Sequence, residues 1–388
     1  MAPISQFVFL GTTPFSGFAQ REHGLAIAIA NRGIRVLYIE GMPSVAARVR
    51  HAMRAVSSSL AMERGIRRAG LPSNLNVLTP PTVPTFSRSS LTPVFDRWLF
   101  RRWFRPIEQT IEWKKAVLFV SLPHWWTSFV DEGAARESFI IYDKCDSLLV
   151  PSRNAKTLAT MEAAETRLME DANLITHSAR AMSPELKGRT KKGEVLFLPN
   201  ACSRNFLEGF QQLHPATRIR PRIAFVGALD ERWVDVELIK ESMKSLSNAK
   251  FVFVGTVSSR IQRVLKDSGD ALFTGAMDHA RIPEVLLSCD AAMIPFLQND
   301  ITRVVNPLKL YEYSSAGLPV VATATEELNG YPDVVRLAKT TGEFIESLRA
   351  AISEKDPKAR ATRIEFAKAN TWEHRVDSLL AAIDRVRH

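Results

Sequence analysis

The feature that most narrows the choice of fold is a pattern near the start of the chain that recurs past its midpoint. Phe7-Val8-Phe9-Leu10-Gly11 is a short apolar run closed by glycine, followed by a loop over residues 12–17 and helical sequence over 19–32. Gly33 ends that helix, and Arg35-Val36-Leu37-Tyr38-Ile39-Glu40 reads as a second strand. Strand, helix and strand in about 35 residues make a βαβ unit, the start of a parallel sheet covered on both faces. Arg222-Ile223-Ala224-Phe225-Val226-Gly227 begins a second such unit, with a helix over 236–245 and a strand over 251–255. Further apolar runs at 116–122, 139–143, 174–176 and 195–198 extend the first sheet. Runs at 272–275, 291–295 and 320–322 complete the second.

With 388 residues the chain has room for two such domains. Residues 208–221 are polar, lack a clear period and contain two prolines, so they read as the linker. The expected division is an N-terminal domain over 1–207, a C-terminal domain over 222–365, and a final helix over 366–388 that packs back on the first domain. Two α/β domains that both begin with strand, glycine, loop and helix imply a cleft between facing sheet edges. Loops at the carboxyl ends of parallel strands are where such folds bind ligands. Neither G-x-G-x-x-G nor a P-loop occurs.

Asn306-Pro307-Leu308-Lys309-Leu310-Tyr311-Glu312-Tyr313 carries a dense set of local instructions. Asn306 is a good N-cap, Pro307 fits the first helical position, and Gly317 with Pro319 stops the helix. A helix N-terminus presents unpaired N–H groups and suits a phosphate. Lys309 would reach that phosphate, and Glu312, one turn on, would accept hydrogen bonds from a diol such as a ribose. A solvated Lys–Glu pair on a surface helix is the competing reading.

Charge is unevenly placed. Residues 44–115 hold eleven arginines and two lysines against four acidic residues, nearly all of the net +10. Within them, residues 95–106 form a basic aromatic segment that as a helix groups Trp98, Arg101, Arg102 and Arg105. Such a face fits an anionic membrane surface, with a core helix bearing solvated arginines as the alternative. No nucleic-acid-binding module is present, so nucleic acid is not an expected partner. The three cysteines, Cys145, Cys202 and Cys289, have no metal-ligand spacing and fit a reducing compartment. The N-terminus has no basic leader, and no apolar run reaches bilayer-spanning length. The expected location is cytoplasmic, peripheral on the inner face of the membrane.

Taken together, these residues resemble the glycosyltransferases of the GT-B fold, two Rossmann-like domains facing across a cleft. The carriers are Asn306 to Tyr313 continuing through Gly317-Leu318-Pro319-Val320-Val321, residues 223–229 with Arg232 and Asp235, Phe273-Thr274-Gly275, and residues 290–296. Pro199-Asn200 resembles the Pro-Asn-Gly close of the first domain, with Ala201 in place of glycine. Gly17-Phe18-Ala19-Gln20-Arg21 resembles a loop and helix start of many members. The group is that of bacterial enzymes of exopolysaccharide and glycan assembly, group 1 glycosyltransferases included. Retaining members often carry two glutamates separated by seven residues. Here the second would be Glu312, but the first falls at Val304. The Asn-Pro-x-Lys form looks more like the xanthan glucuronosyltransferase group, which is inverting and membrane-associated.

The resemblance implies transfer from a nucleotide sugar, with UDP the expected nucleotide, to a lipid-linked or polysaccharide-precursor acceptor held by the first domain. It implies a donor site of Gly17, Gly227, Arg232, Met277, Asn306, Leu308, Lys309 and Glu312. Gln20 and Arg21 would contact acceptor or phosphate. No Asp-x-Asp occurs, so fixed cations are expected to stabilise the leaving diphosphate, with neither metal nor cofactor. Inversion needs a general base at a strand end of the first domain, and Asp146, Asp143 and His124 are the candidates. For Asp143 a turn cap, and for His124 packing against Trp125, are the plain structural readings. A nucleotide-sugar epimerase on the same fold, or a non-catalytic nucleotide-binding subunit that docks at a membrane, are the alternatives.

Overall fold

A computed structural model gives the fold and describes residues 3–15, 20–41, 71–80, 92–123, 125–126, 133–148, 155–190, 193–210 and 219–388. The chain forms two compact units. One takes residues 1–178, 182–198 and 376–388, the other 179–181 and 199–375.

The first unit is built on seven strands: β1 (Gln6–Leu10), β2 (Arg35–Ile39), β3 (Leu75–Leu78), β4 (Ala116–Val120), β5 (Phe139–Lys144), β6 (Leu174–His177) and β7 (Glu194–Phe197). Their order across the sheet is β3-β2-β1-β4-β5-β6-β7, every pairing parallel. The central strands β1 and β4 are buried along their whole length, which is why they read as unbroken apolar runs. β3 lies where the sequence suggests mostly loop. Four residues preceded by Pro72 and Asn74 give a weak signal, but Leu75 and Val77 point inward. Asn74 secures the entry to this edge strand by donating to the carbonyls of Ala30 and Ile34, 2.8 Å each.

The second unit holds β8 (Arg222–Val226), β9 (Lys250–Val254), β10 (Ala271–Gly275), β11 (Ala291–Ile294), β12 (Val320–Thr323) and β13 (Val335–Ala338), in the order β10-β9-β8-β11-β12-β13, again all parallel. β13 extends the sheet one strand beyond the end expected at residues 320–322. In both sheets the order reverses beside the opening strand, between β1 and β4 and between β8 and β11. Those reversals mark the crevices where open α/β sheets take ligands.

The expected linker over 208–221 does not mark the change of unit, and its residues 211–218 lie outside the described residues. The chain passes into the second unit at Pro199, and residues 204–209 are a helix of that unit. Ser203 caps that helix, accepting from the Phe206 N–H, and Phe206 is buried in the second core. Cys202 binds the Asn370 carbonyl through its N–H. Composition marked a polar stretch, yet the anchoring apolar residues lie before it. The last helix, Trp372–Arg387, starts in the second unit and enters the first at Val376. Val376, Leu379, Ala382 and Ile383 are buried at helical spacing, and Arg385 pairs with Glu194 at 2.7 Å.

Candidate functional site

From the reversal in the second sheet outward, three glycines stand at the ends of the adjacent strands β8, β9 and β10. Gly227, Gly255 and Gly275 all have positive φ, +132°, +133° and +72°. A Cβ at Gly255 would lie 2.1 Å from the Gly227 carbonyl oxygen, so the two strand ends touch through bare backbone. A Cβ at Gly227 would meet Lys309 Cε at 2.7 Å and Nζ at 2.9 Å. The glycine therefore makes the room that Lys309 occupies.

Lys309 stands in the first turn of the helix Leu308–Ser315. Its ammonium lies 5.5 Å from the Phe225 ring centre and 5.7 Å from that of Phe296, at the ends of β8 and β11. Among the described residues no carboxylate comes within ion-pair distance of it. Burial lowers its pKa, with the Glu312 charge acting against that. A cation in an aromatic seat, poorly solvated and with no anion of its own, is suited to take one from a ligand.

The helix itself is held by its surroundings. Eight residues are too few to be stable alone, and Leu310, Tyr311, Tyr313, Ser314 and Ser315 are all buried. Its C-terminus follows the sequence. Gly317 has φ +69°, its N–H bonds the Ser314 carbonyl, and the Leu318 N–H bonds that of Tyr313. Its N-terminus differs: Pro307 is the cap residue and Asn306 lies one position outside.

Asn306 is the main correction to the expected donor site. It is 2% exposed, and its amide is fully used inside the protein. Oδ1 accepts from the Asn200 N–H (3.0 Å) and the Tyr311 hydroxyl (3.1 Å). Nδ2 donates to Glu327 (2.7 Å) and the Tyr331 hydroxyl (3.0 Å). Two acceptor and two donor positions are the full capacity of an amide, so nothing remains for a ligand. Glu327, fully buried, also accepts from the Arg180 backbone (2.6 Å) and guanidinium (3.0 Å).

The other donor-side residues vary. Glu312 is buried near Lys309, and its Oε1 lies 2.7 Å from His279 Nε2. Burial opposes charge on that ring, but the Glu312 hydrogen bond and charge, then Asp278, raise its pKa. The sequence reading missed His279; its signal was the turn after β10, where Asp278 caps residues 279–281. Leu308 is half-buried, and Met277 packs against the core beside the same turn. Arg232 forks onto Asp230 (2.8–3.1 Å) and lies 4.6 Å over the Trp233 ring, so its guanidinium is already engaged. Val304, where a second glutamate would stand, is buried.

In the first unit the carboxyl edge is crowded with acids. Glu22 Oε1 accepts from the N–H and hydroxyl of Thr12, the N–H and hydroxyl of Thr13 and the Tyr38 hydroxyl, at 2.6–3.2 Å. Glu40 accepts from the Phe15 N–H at 2.7 Å. Sequence reading points to neither glutamate, yet together they hold Thr12, Thr13 and Phe15 just after β1. Asp143 is fully buried; Arg21, itself 5% exposed, forks onto it at 2.9–3.2 Å and the Thr176 hydroxyl donates at 2.6 Å. Asp143 as a base and Arg21 as an acceptor or phosphate contact are thus both corrected: each is turned inward onto the other. Gln20 caps the helix Arg21–Asn31, its N–H donating to His23 Nδ1. Asp146, just past β5, is exposed, yet desolvation by the surrounding protein, then Glu22 and Asp143, push its carboxyl up to about 7. His124 and Gly17 lie outside the described residues. So does the whole basic stretch at residues 44–70. In the helix Thr92–Glu108, Phe100 and Phe104 are buried while Trp98, Arg101, Arg102 and Arg105 face outward. No helix among the described residues is long and apolar enough to cross a membrane.

Two parallel α/β units, each with its order reversed beside the first strand, define the GT-B class of fold. Residues 220–370, most of the second unit, match the family described as glycosyl transferases group 1. Among curated proteins, a putative teichuronic acid biosynthesis glycosyltransferase of Bacillus subtilis is 24% identical over 200 residues, 47% of this chain and 50% of that protein. The match thus spans about half the relative's length. Among solved structures, sucrose-phosphate synthase from Thermosynechococcus elongatus aligns with a TM-score of 0.67 at 13% identity, over 98% of this chain and 99% of that one. HepE of Anabaena, solved with UDP and glucose, aligns at 0.61 and 13% identity, over 98% and 99%.

The reassignment of Asp143 is testable. Asp143→Ala leaves the Arg21 guanidinium buried without its partner and is expected to destabilise the protein by about 3–5 kcal/mol. Urea unfolding followed by circular dichroism reads this directly. An unchanged midpoint would return Asp143 to the list of bases.

Proposed function

We propose that the protein is a glycosyltransferase that moves a sugar from a nucleotide sugar, UDP-linked, to a lipid-linked or polysaccharide-precursor acceptor. The observation that carries this reading is Lys309: an ammonium with no ion-pair partner among the described residues, seated between two aromatic rings over Gly227, in the first turn of a helix. The group 1 domain and the likeness to a structure solved with UDP support the nucleotide. The teichuronic acid relative supports an acceptor that is a growing cell-surface polymer.

In this mechanism the diphosphate lies against the Lys309 ammonium, which reaches the strand end only because Gly227 carries no side chain. Lys309 and the N–H groups of the first helical turn neutralise charge as the sugar–phosphate bond breaks. Glu312 accepts from the ribose hydroxyls, and Met277 packs beside the turn that receives the base. Neither a metal nor a cofactor is assigned a step. Lys309→Ala is expected to weaken UDP binding by about tenfold to a hundredfold, the worth of a hydrogen bond to a charged group. Calorimetry on both proteins checks this; equal affinities would defeat the reading.

On the acceptor side Asp146 is the base we assign. A carboxyl near 7 is a better proton acceptor than an ordinary aspartate and still ionises at neutral pH. The base works only when ionised, so kcat/KM should rise with pH and level off above about 7. In Asp146→Asn that limb should vanish together with most of the activity. A limb that persisted in the variant would assign it elsewhere.

The outward face of the helix Thr92–Glu108 supports peripheral attachment to an anionic membrane. Co-sedimentation with phosphatidylglycerol vesicles should exceed that with phosphatidylcholine and weaken as salt is raised. Charge reversal at Arg101, Arg102 and Arg105 should abolish the difference, and equal binding to both vesicles would sink the idea.

A further inference from the structure

His279 sits beside the proposed donor site without a part in it, yet it lies within hydrogen-bond distance of the Glu312 carboxylate. We propose that His279 is a positioning residue that holds the Glu312 carboxylate by Oε1 and so presents Oε2 to the vicinal hydroxyls of a ribose. The inference rests on the nucleotide-sugar reading and adds to it the group that makes the glutamate selective for a ribonucleotide.

The geometry is specific. Nε2 of His279 approaches Oε1 at 2.7 Å, while among the described residues Oε2 has no hydrogen-bond partner. The end of a glutamate side chain turns over a broad, nearly twofold well, so a carboxylate anchored at neither oxygen would not hold a fixed direction. His279 is itself held twice. Its ring lies 4.7 Å from that of Phe206 with 31° between planes, and its backbone is fixed by Asp278, which accepts from the Ala280 N–H at 3.0 Å. Phe206 is in turn buried in the core of the second unit. A rigid ring on a capped turn therefore passes its position to a carboxylate on a different element, the helix Leu308–Ser315. Either the imidazolium or the neutral ring with hydrogen on Nε2 can donate this bond, so the hold does not depend on the charge state.

The test compares UDP with 2′,3′-dideoxy-UDP, binding measured by calorimetry on the full chain. Wild type is expected to prefer UDP by about tenfold, the worth of a charge-assisted hydrogen bond, and Glu312→Gln to lose most of that preference. His279→Ala should weaken UDP by a similar factor and leave dideoxy-UDP unchanged. His279→Gln, whose amide nitrogen reaches the place of Nε2, should restore the preference. His279→Phe keeps the ring against Phe206 without the donor and should behave as the alanine variant, which separates positioning from loss of packing. Equal weakening of both nucleotides in the alanine and phenylalanine variants would make His279 merely structural and overturn the proposal. If wild type and Glu312→Gln behave as expected but the His279 variants keep the preference, the positioning role alone is wrong. If wild type binds neither UDP, ADP nor GDP, the donor reading fails and this inference with it.

Discussion

The amide of Asn306 is the contact on which the second unit's ligand edge depends. Its four hydrogen bonds join three stretches of chain: Asn200, the helix residue Tyr311, and the turn that holds Glu327 and Tyr331. Glu327 extends the network to Arg180. In a dry interior an unpaired polar group costs roughly 1–3 kcal/mol, so a network with every position filled permits one arrangement and penalises the rest. That matters because the helix beginning one residue beyond Pro307 is too short to fix its own direction. The network sets where the helix starts, and the start sets where Lys309 and Glu312 stand.

The two units use charge in opposite ways at the carboxyl ends of their strands. In the first, acids are consumed by the protein's own donors: Glu22 and Glu40 by the loop after β1, Asp143 by Arg21 and Thr176. Residues 12–15 are tied down in this way, while the exposed Asp146 carboxyl has neighbours that resist its ionisation. In the second, the cation is the group left over. Lys309 has aromatic faces on two sides and bare glycine backbone below, an environment that disfavours a water shell and leaves the charge for a ligand. The contrast follows from packing. The carboxylates meet backbone N–H groups, hydroxyls and the Arg21 guanidinium, whereas beside Lys309 stand two aromatic rings and glycine backbone.

Much of this was legible in the residues. Glycine-closed apolar runs followed by helical sequence gave both parallel sheets, and Gly317 gave the helix stop, because these signals are local and independent of what packs around them. The two strands that escaped notice, β3 and β13, are four-residue edge strands without the buried character of the centre. The linker was misplaced because polarity and proline mark loops, whereas the change of unit is fixed by where Phe206 and Cys202 are buried. Among site residues, Lys309 and Glu312 were found together since one helical turn separates them. Asn306, Asp143 and Arg21 were drawn as ligand-facing because residue type and position suited that role.

What decided those three was tertiary. Arg21 and Asp143 lie 122 residues apart, and Asn306 and Asn200 lie 106 apart. A polar side chain is available to a ligand only when no closer partner has claimed it, and distant partners leave no trace in local sequence. By itself the sequence determined the period of each element, the places where helices stop, and the lysine and glutamate one turn apart. Only the folded chain decided which polar groups were spent on its own structure and which remained, since that is settled by neighbours brought together from afar.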